Sequence, residues 1–364
     1  MQNLRKKFPV LQQCIYANTA ATGLLSEDLM EWRQGHDLDY LIGGSEVKMK
    51  NFEKIPDIRS TVGDFFHCHP DDVALVPNFS MGLNIILEGL PKNQKALLLK
   101  EDYPSLNWPF ESRNFKREYV EIDHRLEERI YDKVAGGAID VLALSVVQWV
   151  NGIKIDLEFL KKLKKDFPNL MLIADGTQFC GTEPFNFGNS GIDILGSSGY
   201  KWLLAGFGNG FFLVKDEVKN RFDLKFTGYG SVAGDLSKRE NIPFCRHLEP
   251  GHLASLNFGS LSFGLDFLNE IGVKHIQAQL SRLSKKSIEQ FSALGLLEEA
   301  VVQRKQHSTI FNVSGDKALF HQLRDKEVVC SLRGKGIRLS FHFYNTEDEI
   351  ETIAKILKAN SAKL

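Results

Sequence analysis

Between residues 72 and 215 the sequence alternates short apolar, β-rich runs with stretches of helical spacing, and no other feature limits the fold as strongly. Residues 73–76, 95–99, 117–121, 141–147, 170–174, 192–195 and 210–214 are predicted strands. Between them, residues 80–90, 105–113, 126–134 and 157–166 carry helical patterns. Strands interleaved with helices of this length form β-α-β units, so an α/β fold is expected, with a mostly parallel sheet covered by helices on both faces. The nearly continuous apolar run at 141–147 suits a strand buried on both sides. After residue 251 the texture changes. Long helical patterns at 256–271 and 276–294 precede strand-like runs at 309–313, 328–332 and 337–340, with helices at 317–324 and 347–359. The expected organisation is an N-terminal segment (1–25) lying beside the small domain or across the site, a large α/β domain (26–250) and a smaller C-terminal α+β domain (251–364). A length of 364 residues fits roughly two domains.

Several function classes fall away on composition. The formal net charge is -1 and the charges are interspersed, so no basic face for a nucleic acid is expected. The longest apolar run, 141–150, is broken by Ser145 and Gln148 and is far short of the ~20 residues that span a bilayer. The first residues lack the apolar stretch of a secretory signal. The five cysteines are scattered without a C-x-x-C pair, which suits a reducing cytoplasm and neither a disulfide framework nor a zinc knuckle. His67-Cys68-His69 has no second ligand cluster and reads as a helix end before Pro70, so no metal is expected. Gly206-x-Gly208-x-Gly210 precedes a strand instead of opening a helix, which rules out a dinucleotide loop. A cytoplasmic enzyme is the expectation that remains.

Open parallel sheets bind ligands beyond the carboxyl ends of their strands. There the sequence places Asn78-Phe79-Ser80, Glu101-Asp102-Tyr103-Pro104-Ser105, Asp175-Gly176-Thr177-Gln178 and Gly196-Ser197-Ser198-Gly199-Tyr200-Lys201. Each alone has an ordinary reading: a strand-end Asp caps a turn, a Lys after a strand sits on the surface, and Ser80 begins a helix. Together they match what pyridoxal 5'-phosphate (PLP) requires. That cofactor takes an amine for its aldehyde, an acid against its pyridine nitrogen, a helix N-terminus for its phosphate and a flat side chain over its ring. The small residues 196–199 are expected to let backbone approach a phosphate ahead of Lys201.

The runs Ala174-Asp175-Gly176-Thr177-Gln178, Gly196-Ser197-Ser198-Gly199-Tyr200-Lys201-Trp202-Leu203 and Gly206-Phe207-Gly208-Asn209-Gly210 resemble the class V aminotransferase family of PLP enzymes, of fold type I. That family includes cysteine desulfurases, kynureninases and isopenicillin N epimerase-like proteins. Tyr16-Ala17-Asn18-Thr19-Ala20-Ala21 is similar to its N-terminal signature, and the run from Arg338 to Asp348 to its C-terminal one. The resemblance implies a Schiff base on Lys201, which would also move the α-proton, and a protonated ring nitrogen held by Asp175. It implies that Gln178 bonds the phenolic oxygen and that Ser80, the Phe79 and Ser80 amides and Ser198 hold the phosphate. It further implies a homodimer with the site at the subunit interface, where His252 would reach the neighbouring cofactor.

Departures from the common pattern narrow the activity. Desulfurases stack a His on the ring where this chain has Tyr103, and the frequent His before the lysine is Tyr200, whose hydroxyl could still reach phosphate. Trp149 falls near the phenolic edge, though core packing is the expectation for it. Two arginines compete for the substrate carboxylate: Arg338, matching a kynureninase-like ending and favoured, and Arg333, matching the desulfurase anchor. Only four residues separate them, leaving no room for the desulfurase cysteine loop. Cys330 precedes Arg333 in a predicted strand and reads as a buried, inert thiol, and Cys180 lies on the wrong loop. The expectation is transamination of an amino acid, with PLP-dependent lyase or epimerase chemistry (kynureninase-, cysteine lyase- or isopenicillin N epimerase-like) as the alternative and a PLP-binding sensor as the non-enzyme reading.

Overall fold

A computed structural model of the chain describes residues 2–361. Its strands are β1 (Ile15–Tyr16), β2 (Val73–Val76), β3 (Lys95–Leu99), β4 (Lys116–Val120), β5 (Val141–Ser145), β6 (Met171–Asp175), β7 (Ile194–Ser198), β8 (Gly210–Val214), β9 (Ile310–Ser314), β10 (Val328–Val329), β11 (Ser331–Arg333) and β12 (Gly336–Ser340). Seven of them form the central sheet in the order β2-β8-β7-β6-β5-β3-β4. All pairs are parallel except those of β8, which runs against both neighbours. β8 can do so because the chain returns from β7 without a helical crossover, which parallel pairing would need.

Side chains alternate across each strand and so feed two cores. In β3, Leu97 and Leu99 join one apolar cluster while Ala96 and Leu98 join the other. Helices Phe79–Gly89 and Pro104–Glu111 cover the second face with Leu83, Ile86, Leu106 and Phe110. Helices Ile55–Phe66, Leu126–Gly136 and Leu157–Asp166 cover the first with Val62, Ile130, Leu160 and Leu163. Each fully buried Leu or Ile contributes about 1.5–3 kcal/mol relative to exposure.

A three-stranded antiparallel sheet, β11-β12-β9, packs with helices Val273–Ala293, Lys317–Asp325 and Glu347–Ser361 in the C-terminal part of the chain. The N-terminal segment is tied to it: β1 pairs with β10, and Phe8 packs against Phe343 and Tyr344. Two strands depart from expectation. The run at 141–147 leaves the sheet after Ser145, because Val147 bridges Lys154 in a returning loop. The run at 328–332 is two strands, since the chain changes partner at Cys330, from β1 to β12. Among the described residues no helix is long and apolar enough to cross a membrane.

Candidate active site

Along the sheet, β3 leads outward to β4, whereas β5, β6 and β7 proceed the other way. The order therefore reverses between β3 and β5, and the crevice beyond their carboxyl ends is where such folds bind ligands. Tyr103, Ser145, Trp149, Asp175, Thr177, Gln178 and Lys201 line it. Asp102 spans the reversal itself: its carboxylate accepts from the Tyr103 amide (2.7 Å) after β3 and from the Ser145 amide (2.8 Å) at the end of β5. Buried, and with no cation bonded to it among the described residues, it holds the two strand ends together. Sequence reasoning assigns Asp102 no role, because a carboxylate that serves backbone amides and the side chains of Ser145 and Gln148 has no pattern in sequence.

Lys201 and Asp175 stand together in this crevice, 5% and 4% exposed. Burial pushes the Lys201 amine down to about 8, Arg338 and Arg333 add repulsion, and Asp175 opposes the shift. Burial likewise raises the Asp175 carboxyl to about 6, while bonds from Thr177 and the charge of Lys201 pull it back. The Lys201 ammonium lies 5.4 Å from the centre of the Tyr103 ring and 5.5 Å from that of Tyr200. Near neutrality this amine deprotonates far more readily than a surface lysine, as a nucleophile for an aldehyde requires.

Gly23 allows the N-terminal segment to cross here. Its amide donates to the Tyr200 carbonyl (2.9 Å), and a Cβ would lie 2.0 Å from the Lys201 carbonyl oxygen. The segment also supplies the Ala20 carbonyl to the Gln178 amide (2.9 Å), whose oxygen accepts from Trp202 Nε1 (2.7 Å). Gln178 is therefore fixed by its surroundings, and its second amide hydrogen remains for a phenolic oxygen.

Ser198 Oγ accepts from the Phe79 amide at 3.0 Å, which joins the end of β7 to the start of helix Phe79–Gly89. The half-buried Ser80 sits in the first turn of that helix, where amides have no intrahelical acceptor and the dipole favours an anion. The glycine reading needs correction at Gly196. A Cβ there would meet Phe212 at 2.4 Å and Phe79 at 2.8 Å, so its smallness makes room for two aromatic rings and not for a phosphate.

The remaining residues separate into those at the crevice and those away from it. Tyr103 meets Trp149 edge-on at 5.6 Å, and Trp149 lines the crevice instead of packing in the core as expected. Tyr200 stacks on Phe207 at 4.7 Å, and burial raises its phenol to about 12. Arg338, on β12, is 2% exposed; its Nη1 donates to the Trp149 carbonyl (2.7 Å), and its Nε is buried with no partner. Arg333 is exposed and donates to the carbonyl of adjacent Leu332. His252 is exposed against Tyr229 and Phe52 and does not line this chain's own crevice. His67 caps helix Ile55–Phe66 in a left-handed conformation, and no metal-binding cluster occurs among the described residues.

PLP fits this donor set. A depressed lysine stands beside a buried carboxylate, a capped helix start faces Ser198, a tyrosine ring flanks the lysine, and an unpartnered guanidinium nitrogen awaits an acceptor.

Comparison with known proteins agrees. The chain is 24% identical over 356 residues to the Uncharacterized aminotransferase YcbU of Bacillus subtilis (strain 168), covering 96% of this chain and 95% of that protein. It is 24% identical over 397 residues to a protein named Probable cysteine desulfurase from Pyrococcus abyssi, covering 98% and 96%. Its fold superposes on the apo cysteine desulfurase of Thermococcus onnurineus NA1 with a TM-score of 0.86 at 21% identity, covering 100% of this chain and 98% of the other. It also superposes on a mutant of C-DES that carries Gly covalently linked to its PLP cofactor, with a TM-score of 0.85 at 16% identity, covering 97% and 98%. Residues 41–353 match the family model Aminotransferase class-V, and the chain belongs to that family of PLP-dependent enzymes.

Proposed function

We propose that the chain is a homodimeric aminotransferase that moves the amino group of an α-amino acid at Lys201. One observation carries the choice against desulfurase chemistry: among the described residues no cysteine lines the crevice. Burial pushes the Cys180 and Cys245 thiols up to about 12 and Cys330 up to about 11, so none is a ready thiolate. β11 also turns directly into β12, with Arg333 paired to Gly336, which leaves no loop to carry a thiol to the site.

PLP, when bound, supplies the aldehyde that takes the amine and the ring that withdraws electrons from Cα. Asp175 holds the proton on the ring nitrogen, since an adjacent carboxylate favours the charged form. Lys201, whose amine burial brings down to about 8, would hold the cofactor's aldehyde and would carry the Cα proton. Tyr103 would cover the ring, and Gln178 would offer its remaining amide hydrogen to the phenolic oxygen. The Ser80 end of helix Phe79–Gly89 and the Ser198 hydroxyl would receive the phosphate, while the Phe79 amide is already engaged by Ser198 Oγ. Arg338, whose charge already acts on Lys201, would take the substrate carboxylate with its guanidinium.

An amino acid panel tests this reading. Mixed with the PLP-loaded protein, one or more amino acids should release the matching 2-oxo acid, stoichiometrically in the absence of an acceptor and continuously with one. Release of ammonia, alanine or sulfide in its place would move the assignment to a lyase or desulfurase. For the carboxylate anchor, Arg338→Ala should raise KM by about two orders of magnitude, as expected when a buried charge-assisted pair is broken. Arg333→Ala should change KM less than about threefold, because a rim charge is solvated. Equal effects would refute the anchor.

Dimerisation is supported by large apolar side chains left open on helix Glu27–Glu53, with Leu41 80% and Ile42 78% exposed, and by the exposed rings of Phe207 and Tyr229. Sedimentation should give twice the 41.1 kDa chain mass. Leu41→Glu/Ile42→Glu should yield a monomer with at least about tenfold lower turnover, the cost of removing His252 from the neighbouring site. A fully active monomer would refute the shared site.

A further inference from the structure

A second cavity, of about 530 Å³, opens between the large domain and helix Val273–Ala293, on the far side of Gln178 from Lys201. Gln178 and Trp202 form its inner wall, and Lys154, Lys285, Lys305 and His307 surround it. Beside Leu280 and Ile288 the helix presents Gln277, Ser281 and Ser284, whose short or polar side chains leave the space open. The volume lies within the range of small-molecule sites.

Its charge is one-sided. Lys154 is nearly buried, and its charge is matched by Glu183, the one acidic residue in the lining. Lys285 and Lys305 are exposed and form none of the ion pairs found among the described residues. Burial pushes the His307 imidazole down to about 4, opposed by the Asn151 and Ser308 carbonyls that face its two ring nitrogens. Two uncompensated ammonium groups thus remain at a polar cavity that shares a wall with the catalytic crevice.

We propose that this interdomain cavity is a binding site for a small organic anion bearing carboxylate or phosphate groups, held by Lys285 and Lys305. An occupant would sit one side chain, Gln178, away from the catalytic crevice. The site is separate from the phosphate position at Ser80 and Ser198 and from the carboxylate anchor Arg338, and it stands whichever amino acid the enzyme uses.

The test is calorimetric titration of the PLP-loaded protein, whose cofactor fills the phosphate position, with succinate and with inorganic phosphate. Saturable binding of at least one probe is expected at close to one per chain. It should weaken at least about tenfold in Lys285→Gln/Lys305→Gln, roughly 1.4 kcal/mol, with turnover unchanged. The same binding should survive in Arg338→Ala. Whichever probe binds more tightly assigns the anion as carboxylate or phosphate. The proposal is overturned if neither probe gives saturable heat up to roughly 20 mM, near the weak limit of specific binding. It is also overturned if the double variant binds as the parent does, or if Arg338→Ala alone abolishes binding.

Discussion

Replacing Lys201 with alanine should cost at least about three orders of magnitude in turnover, because one residue serves both as the covalent anchor and as the proton carrier at Cα. The visible band of lysine-bound PLP should disappear, and no other lysine should restore it. The apoprotein should keep its thermal stability. The buried ammonium is opposed in the fold by desolvation and by Arg338, so removing it relieves an unfavourable charge. A variant retaining more than about a tenth of the activity would refute the assignment.

Asp175→Asn should lower turnover by about two to four orders of magnitude, the effect of breaking a buried charge pair worth about 3–5 kcal/mol at the ring nitrogen. A second consequence is readable before any substrate is added. Attachment of PLP needs the neutral amine, so its rate in the parent should rise with pH through about 8. The Asp175 carboxylate stabilises the Lys201 ammonium, so the asparagine variant should move that midpoint to lower pH. Arg338→Ala should move it upward, since the guanidinium destabilises the same ammonium. Stopped-flow absorbance across pH measures both shifts, and midpoints that coincide with the parent's would contradict the geometry.

The central sheet is legible because its strands are buried on both faces and read as unbroken apolar runs. The predicted runs at 73–76, 95–99 and 210–214 coincide with β2, β3 and β8. The candidates Lys201 and Asp175 are legible because both follow strand ends in company with Ser80 and Gln178; position alone would leave each an ordinary reading. Residues 26–72 are harder to read. Helix Glu27–Glu53 turns Leu41 and Ile42 outward and is kinked at Gly44, so no apolar stripe of helical period marks it. Cys330 hides a change of sheet partner, because two short strands in succession carry the same alternation as one long strand. Trp149 looks like a core residue by type, and only the returning loop after Ser145 brings it to the crevice. The cavity behind Gln178 depends on how helix Val273–Ala293 docks, a tertiary fact without a local signature.

Borohydride reduction of the PLP-loaded protein, followed by peptide mapping, interrogates the site most directly. The expected result is a single phosphopyridoxyl group on Lys201, formed much more slowly in Asp175→Asn. A label on any other lysine, or an equal spread over several, would contradict the pairing of Lys201 with Asp175 around one cofactor ring.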